Sequence, residues 1–204
     1  IVFYDVASAN LSEDVEPSTF YVRLTKGLVK LLQNRTEDGY VARVDLRLRP
    51  DPGSSATAVS LPTAYNYYES VGQNWERAAF IKARAIAGNL TLGDNFLKAL
   101  TPFIWRKYFD FAAIADIHAM KRQIQTARGH GEIAVAGHDI KLGRGGIREI
   151  EFFVQTQQLV FGGRKPRLRG RRTVEMLGAL VEEEWISADA RDELSACYYF
   201  LRTV

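Results

Sequence analysis

The chain has 204 residues, 47% of them hydrophobic and 25% charged, with a formal net charge of +3. That balance is enough to bury a core in one or two domains, and it excludes a disordered chain. A single cysteine, Cys197, excludes an internal disulfide. No apolar run reaches membrane-spanning length, so a cytoplasmic protein without a membrane partner is expected.

In chain order, Ile1 to Asp5 reads as a short strand and Val6 to Val15 as a polar loop. A helix is predicted over Pro17 to Gln33, with proline in its first turn and Tyr21, Leu24, Leu28, Leu31 and Leu32 as its apolar positions. After a turn over Thr36 to Gly39, a strand is predicted over Tyr40 to Arg49. It contains the most informative run of the chain, Val44-Asp45-Leu46-Arg47-Leu48-Arg49-Pro50. Successive strand side chains point to opposite faces, so Asp45, Arg47 and Arg49 are expected on one face and Val44, Leu46 and Leu48 on the other. One carboxylate beside two cations suits metal or phosphate chemistry, and an amphipathic strand with one wet face fits the same alternation.

A loop over Pro50 to Ser55 and an extended run over Thr57 to Ser60 lead to a long helix, predicted from about Pro62 to Ala87. Tyr68, Val71, Trp75, Ala78, Ala79 and Ile86 form its core stripe. Glu69, Gln73 and Glu76 share a second face, and Arg77, Ile81 and Arg84 a third. Gly72 interrupts this helix at a cost of about 1 kcal/mol relative to alanine, which implies close packing there. Gly88 to Asp94 is the expected boundary between a mixed α/β domain, residues 1–93, and an all-helical domain, residues 94–204. Breaks are predicted at Gly129 to Asp139, at Gly143 to Gly146 and over a basic loop.

The second dense cluster is Lys141-Leu142-Gly143-Arg144-Gly145-Gly146-Ile147-Arg148-Glu149-Ile150-Glu151-Phe152. Its glycines precede a helix whose free amides and positive dipole end could hold an anion, although a tight turn reads the same way. On that helix Ile147, Ile150, Val154 and Phe161 make an apolar stripe. Arg148, Glu151, Gln155 and Gln158 make a polar one, fit either to line a cleft or to lock a structural network. The basic loop, Arg164 to Arg172, carries six cations and no acid. It reads as a solvated turn, or as a patch for phosphate or an acidic partner, and it lacks aromatics that would stack bases. His118, His130 and His138 are scattered, so no zinc site is expected, and Cys197 is expected in a helical core.

Taken in order, Asp45 to Pro50, Trp75-Glu76-Arg77, Ile81-Lys82-Ala83-Arg84 and Lys141 to Phe152 resemble the glutamine synthetase adenylyltransferase/adenylyl-removing enzyme family over the whole chain. The resemblance implies an α+β fold: a nucleotidyltransferase-type mixed α/β domain, truncated at its first catalytic strand, followed by the helical domain. Asp45 would be the third carboxylate of the active site, catalytic and a Mg²⁺ ligand, and the Asp-x-Asp pair would lie before Ile1. This fragment alone is therefore expected to be inactive. Nucleotide or phosphate would be held by candidates Arg47, Arg49, Glu76, Lys82, Arg84, Gly145, Gly146, Arg148 and Glu151. The loop departs from the family's Arg-Pro-x-Gly-x-x-Gly, since Gly53 is shifted by one place and no second glycine follows.

The family, as the resemblance implies, moves AMP from ATP to a tyrosine of glutamine synthetase and removes it by phosphorolysis, releasing ADP. It does so under control of the nitrogen-signalling PII protein, and the chain looks more like the N-terminal, removing half. Two alternatives are a nucleotide-binding module without catalysis and a nucleotidyltransferase acting on nucleic acid. Nucleic acid is not the expected partner.

Overall fold

The computed structural model describes residues 1–107 and 138–204. His118, His130 and the Gly129 to Asp139 break as far as Gly137 lie outside the described residues. The chain divides into two compact units, Ile1–Gln73 and Asn74–Val204.

In the first unit β1 (Val2–Tyr4) and β2 (Ala58–Ser60) pair in parallel, with Val2 opposite Ala58 and Tyr4 opposite Ser60. Parallel neighbours need a crossover, and α1 (Pro17–Gln33) lies within it, packed on β2 with Tyr21 stacked on Tyr4 at 4.5 Å between ring centroids. The helix starts where its sequence predicts. The Glu16 carboxylate accepts from Ser18 N–H at 3.1 Å and Thr19 N–H at 2.6 Å, and Pro17 has no amide to leave unpaired. Those amide bonds hold the Glu16 carboxyl below its ordinary range. Directly after β2, α2 (Leu61–Ser70) is capped by the Ser60 hydroxyl and buries Leu61, Ala64 and Tyr68.

The strand expected over Tyr40 to Arg49 does not form. Its start is tied to the end of α1 instead: Ala42 N–H donates to the Leu32 carbonyl at 2.9 Å, and Gln33 Nε2 to the Val44 carbonyl at 2.7 Å. From Asp45 the chain turns, because Asp45 Oδ1 accepts the Arg47 amide at 2.9 Å. An aspartate that binds an amide two residues on offers the backbone a local alternative to a sheet ladder. The turn over Thr36 to Gly39 is present, closed by reciprocal backbone bonds of 2.7 and 3.1 Å.

The second unit, among the described residues, is helical. Its elements are α3 (Asn74–Ile81), α4 (Leu90–Ala99), α5 (Thr101–Ile104), α6 (Ile147–Phe161), a 3₁₀ turn (Pro166–Leu168), α7 (Thr173–Glu182) and α8 (Ala188–Thr203). Val154, Met176 and Leu177 centre one core, with Phe153, Ala179, Ile186 and Leu194 packed around them. Phe80 meets Phe96 and Phe103 in another, at 6.4 and 6.5 Å between centroids.

The long helix expected over residues 62–87 is two helices. It stops at Ser70, resumes at Asn74 and ends at Ile81, and Gly72 lies in the break rather than packed inside a helix. Val71 and Ile86, expected in the core, are consequently 53% and 75% exposed. The division between units falls at this break. Gly88 to Asp94 leads into α4, whose first turn is capped by Asn89 Oδ1 on Leu92 N–H at 3.0 Å. Cys197, expected in a core, is exposed on α8. Among the described residues no helix is long and apolar enough to cross a membrane.

Candidate functional site

In the first unit Asp45 and Arg47 come together as the sequence predicts, but with each other as partners. Arg47 Nε lies 3.0 and 3.1 Å from the two carboxylate oxygens, and Nη2 lies 2.7 Å from Oδ2. Side-chain and backbone hydrogen bonds from Arg47 hold the Asp45 carboxyl down at about 2, so it is ionised at neutral pH. The pair is open to solvent, with 84% of the Arg47 side chain and 52% of the Asp45 side chain exposed. Arg49 does not join them. Its guanidinium turns back to the carbonyls of Leu46 at 3.0 Å, Pro52 at 2.8 Å and Ser55 at 3.1 Å, and so organises the loop after the run. The shared face expected of a strand is lost because the strand is.

Within the second unit Lys82 lies in the electrostatic field of Glu151. Lys82 Nζ donates to the Arg171 carbonyl at 2.6 Å and to Thr173 Oγ1 at 3.1 Å. Burial lowers the pKa of this ammonium, and the Glu151 charge opposes that shift. Arg148, one helical turn before Glu151, is exposed. Arg84 is also exposed, because α3 ends three residues earlier. Glu76, expected at a cleft, is 1% exposed.

Gly145 and Gly146 do not present free amides. Gly145 N–H donates to Glu149 Oε2 at 3.1 Å, Gly146 N–H to the Gly143 carbonyl at 2.9 Å, and Ile147 and Arg148 N–H to the carbonyls of Ile140 and Lys141 at 3.0 and 3.1 Å. The glycines serve a close turn. Gly145 has φ +76°, and a Cβ on Gly146 would come 2.8 Å from the Ile140 oxygen. The anion expected at this helix end is replaced by the helix's own Glu149 carboxylate, favoured there by the dipole.

One structural residue escaped the sequence reading. Arg77 is 0% exposed, with Nε and Nη2 3.2 and 3.0 Å from the Ile104 carbonyl and Nη1 3.0 Å from Asn74 Oδ1. The available signal was its helical spacing from Ile81, itself 2% exposed. Gln158, at the end of the polar stripe, is 0% exposed, and its Nε2 donates to the carbonyls of Leu168 and Gly170 at 2.7 Å each. It holds the basic loop in place. That loop's cations are largely engaged: Lys165 pairs with Glu183 at 2.6 Å, Arg167 with Glu182, and Arg172 with Glu175 at 2.7 Å. Arg169 donates to Gly162 O at 2.6 Å and lies 5.8 Å from the Trp105 ring centroid, and Arg171 reaches the Ala83 carbonyl at 3.4 Å.

These residues alone do not fit a divalent metal. Asp45 is a single carboxylate with both oxygens on Arg47, and among the described residues no three His, Cys, Asp or Glu side chains converge.

Residues 1–99 match the family described as glutamate-ammonia ligase adenylyltransferase, and residues 117–204 match the one described as GlnD PII-uridylyltransferase. Across all of its residues the chain is 60% identical to a protein of Mesorhizobium japonicum, 59% to one of Xanthobacter autotrophicus and 58% to one of Rhodopseudomonas palustris. Each of these is named bifunctional glutamine synthetase adenylyltransferase/adenylyl-removing enzyme, and the chain spans 21% of the length of each. With that identity sustained from Ile1 to Val204, the chain belongs to the glutamine synthetase adenylyltransferase/adenylyl-removing enzyme family.

Proposed function

We propose that the chain is part of an enzyme that adds AMP to a tyrosine of glutamine synthetase and takes it off again, and that it comes from the half that removes it. The observation that carries this reading is the 60% identity over the whole chain to an enzyme of that name. The geometry adds an exposed carboxylate, Asp45, held ionised at about 2 in a loop that also carries Arg47 and Arg49. The likeness of the 72–77 and 141–152 motifs to that half supports the removing half.

In the removing reaction an oxygen of inorganic phosphate attacks the phosphorus of the AMP group. The bond from phosphorus to the tyrosine oxygen breaks, that oxygen takes up a proton, and ADP leaves. In the proposal Asp45 accepts the proton that phosphate gives up, once Arg47 has turned to the phosphate oxygens. Mg²⁺ belongs to the proposal only through the family, and no step above is routed through it. Regulation by a PII protein is part of the same reading.

Incubated with adenylylated glutamine synthetase, the full-length protein should release ADP only when inorganic phosphate is present. Release of free AMP without phosphate, or no release at all, would overturn the reading. A second reading has one observation in its favour, the match of residues 117–204 to a PII-uridylyltransferase family. Under it, UTP would serve as donor and ATP would not.

A further inference from the structure

Helix α1 carries more apolar surface than its unit covers. Its inner face holds Tyr21, stacked on Tyr4, and Thr25, the one buried residue of its 17. Beside that face runs a second stripe at helical spacing, Phe20, Leu24, Leu28 and Leu31, which is 39%, 55%, 46% and 76% exposed. The remaining face carries Arg23, Lys26 and Lys30, and the helix contains no acidic residue. An apolar seam with a rim of one charge is the pattern of a docking surface.

We propose that this seam docks a segment of the same polypeptide lying outside these 204 residues, with an apolar centre and an acidic rim. Two observations favour an intramolecular occupant. The chain spans 21% of relatives to which it is 58–60% identical throughout, so most of a polypeptide of that length is available to cover it. The helix is also already committed on one side to β1 and β2, unlike a free amphipathic helix that lies on a lipid surface. The proposal rests on the length of the relatives and not on the reaction proposed above.

The test places a photo-crosslinking benzoylphenylalanine at position 28 in the full-length protein, followed by peptide mapping after irradiation. The expected product is a crosslink within one polypeptide, to an acid-bearing segment outside these 204 residues, that is unchanged by dilution and lost when Leu24→Glu is added. A crosslink to a second copy, to residues 74–204 or to added anionic vesicles would overturn the proposal, as would no crosslink at all. Phosphorolysis measured on the same unirradiated protein keeps a failure of this surface distinct from a failure of the enzymatic reading.

Discussion

Charged residues are dense in both units, but their settings differ. In the first unit Asp45 and Arg47 hold one another in solvent, on a turn outside any strand or helix. In the second, Arg77 is sealed at 0% exposure inside α3, bound to the carbonyl of Ile104 and to Asn74. An exposed ion pair contributes little to stability and can exchange its partner at little cost. A buried guanidinium with backbone acceptors can do neither. The same residue types therefore point to function in one place and to architecture in the other, and burial separates the two roles.

The largest effect expected from this contrast is in the second unit. Arg77→Ala removes three charged hydrogen bonds and leaves the Ile104 carbonyl without its donor, which should cost about 3 kcal/mol or more. Denaturant unfolding followed through Trp105, the residue next to Ile104, measures it. A loss under about 1 kcal/mol would show that Arg77 is not the structural post described here.

A smaller effect sharpens the other side. Arg47→Gln should leave the unfolding midpoint in place and let the Asp45 carboxyl rise from about 2 towards its ordinary 3.8, as read by a carboxyl-carbon NMR titration. The sign follows from a depressed carboxyl: whatever stability the ionised Asp45 contributes is complete above its unfolded value of 3.8 and disappears as pH falls towards about 2. That slope should flatten in the variant. An unmoved titration would mean that Arg47 does not hold Asp45 in solution.

The sequence made some of this fold legible and hid the rest for definable reasons. The bounds of α1 were readable because Pro17 and the run of apolar residues to Gln33 are local signals. The strand over Tyr40 to Arg49 was misread because alternation specifies two faces but supplies no neighbour to pair with, and Asp45 then accepted the Arg47 amide. Gly72 was visible as an interruption. Its consequence was not, since whether a glycine packs or breaks a helix depends on tertiary neighbours. Gly145 and Gly146 marked a turn correctly, but which carbonyls would fill their amides depended on Ile140, Lys141 and Gly143 folding back. Within the candidate site, the Asp45 and Arg47 pairing was legible from spacing, while Lys82 meeting Thr173 across about ninety residues was not.

The most direct test of the account is Asp45→Asn in the full-length enzyme, with unfolding and phosphorolysis of adenylylated glutamine synthetase measured on one preparation. The substitution keeps the size of the side chain and removes its charge. An unchanged unfolding midpoint with turnover lower by at least about a hundredfold is the predicted result. Turnover like that of the unmodified enzyme, or a large loss of stability with turnover intact, would contradict it.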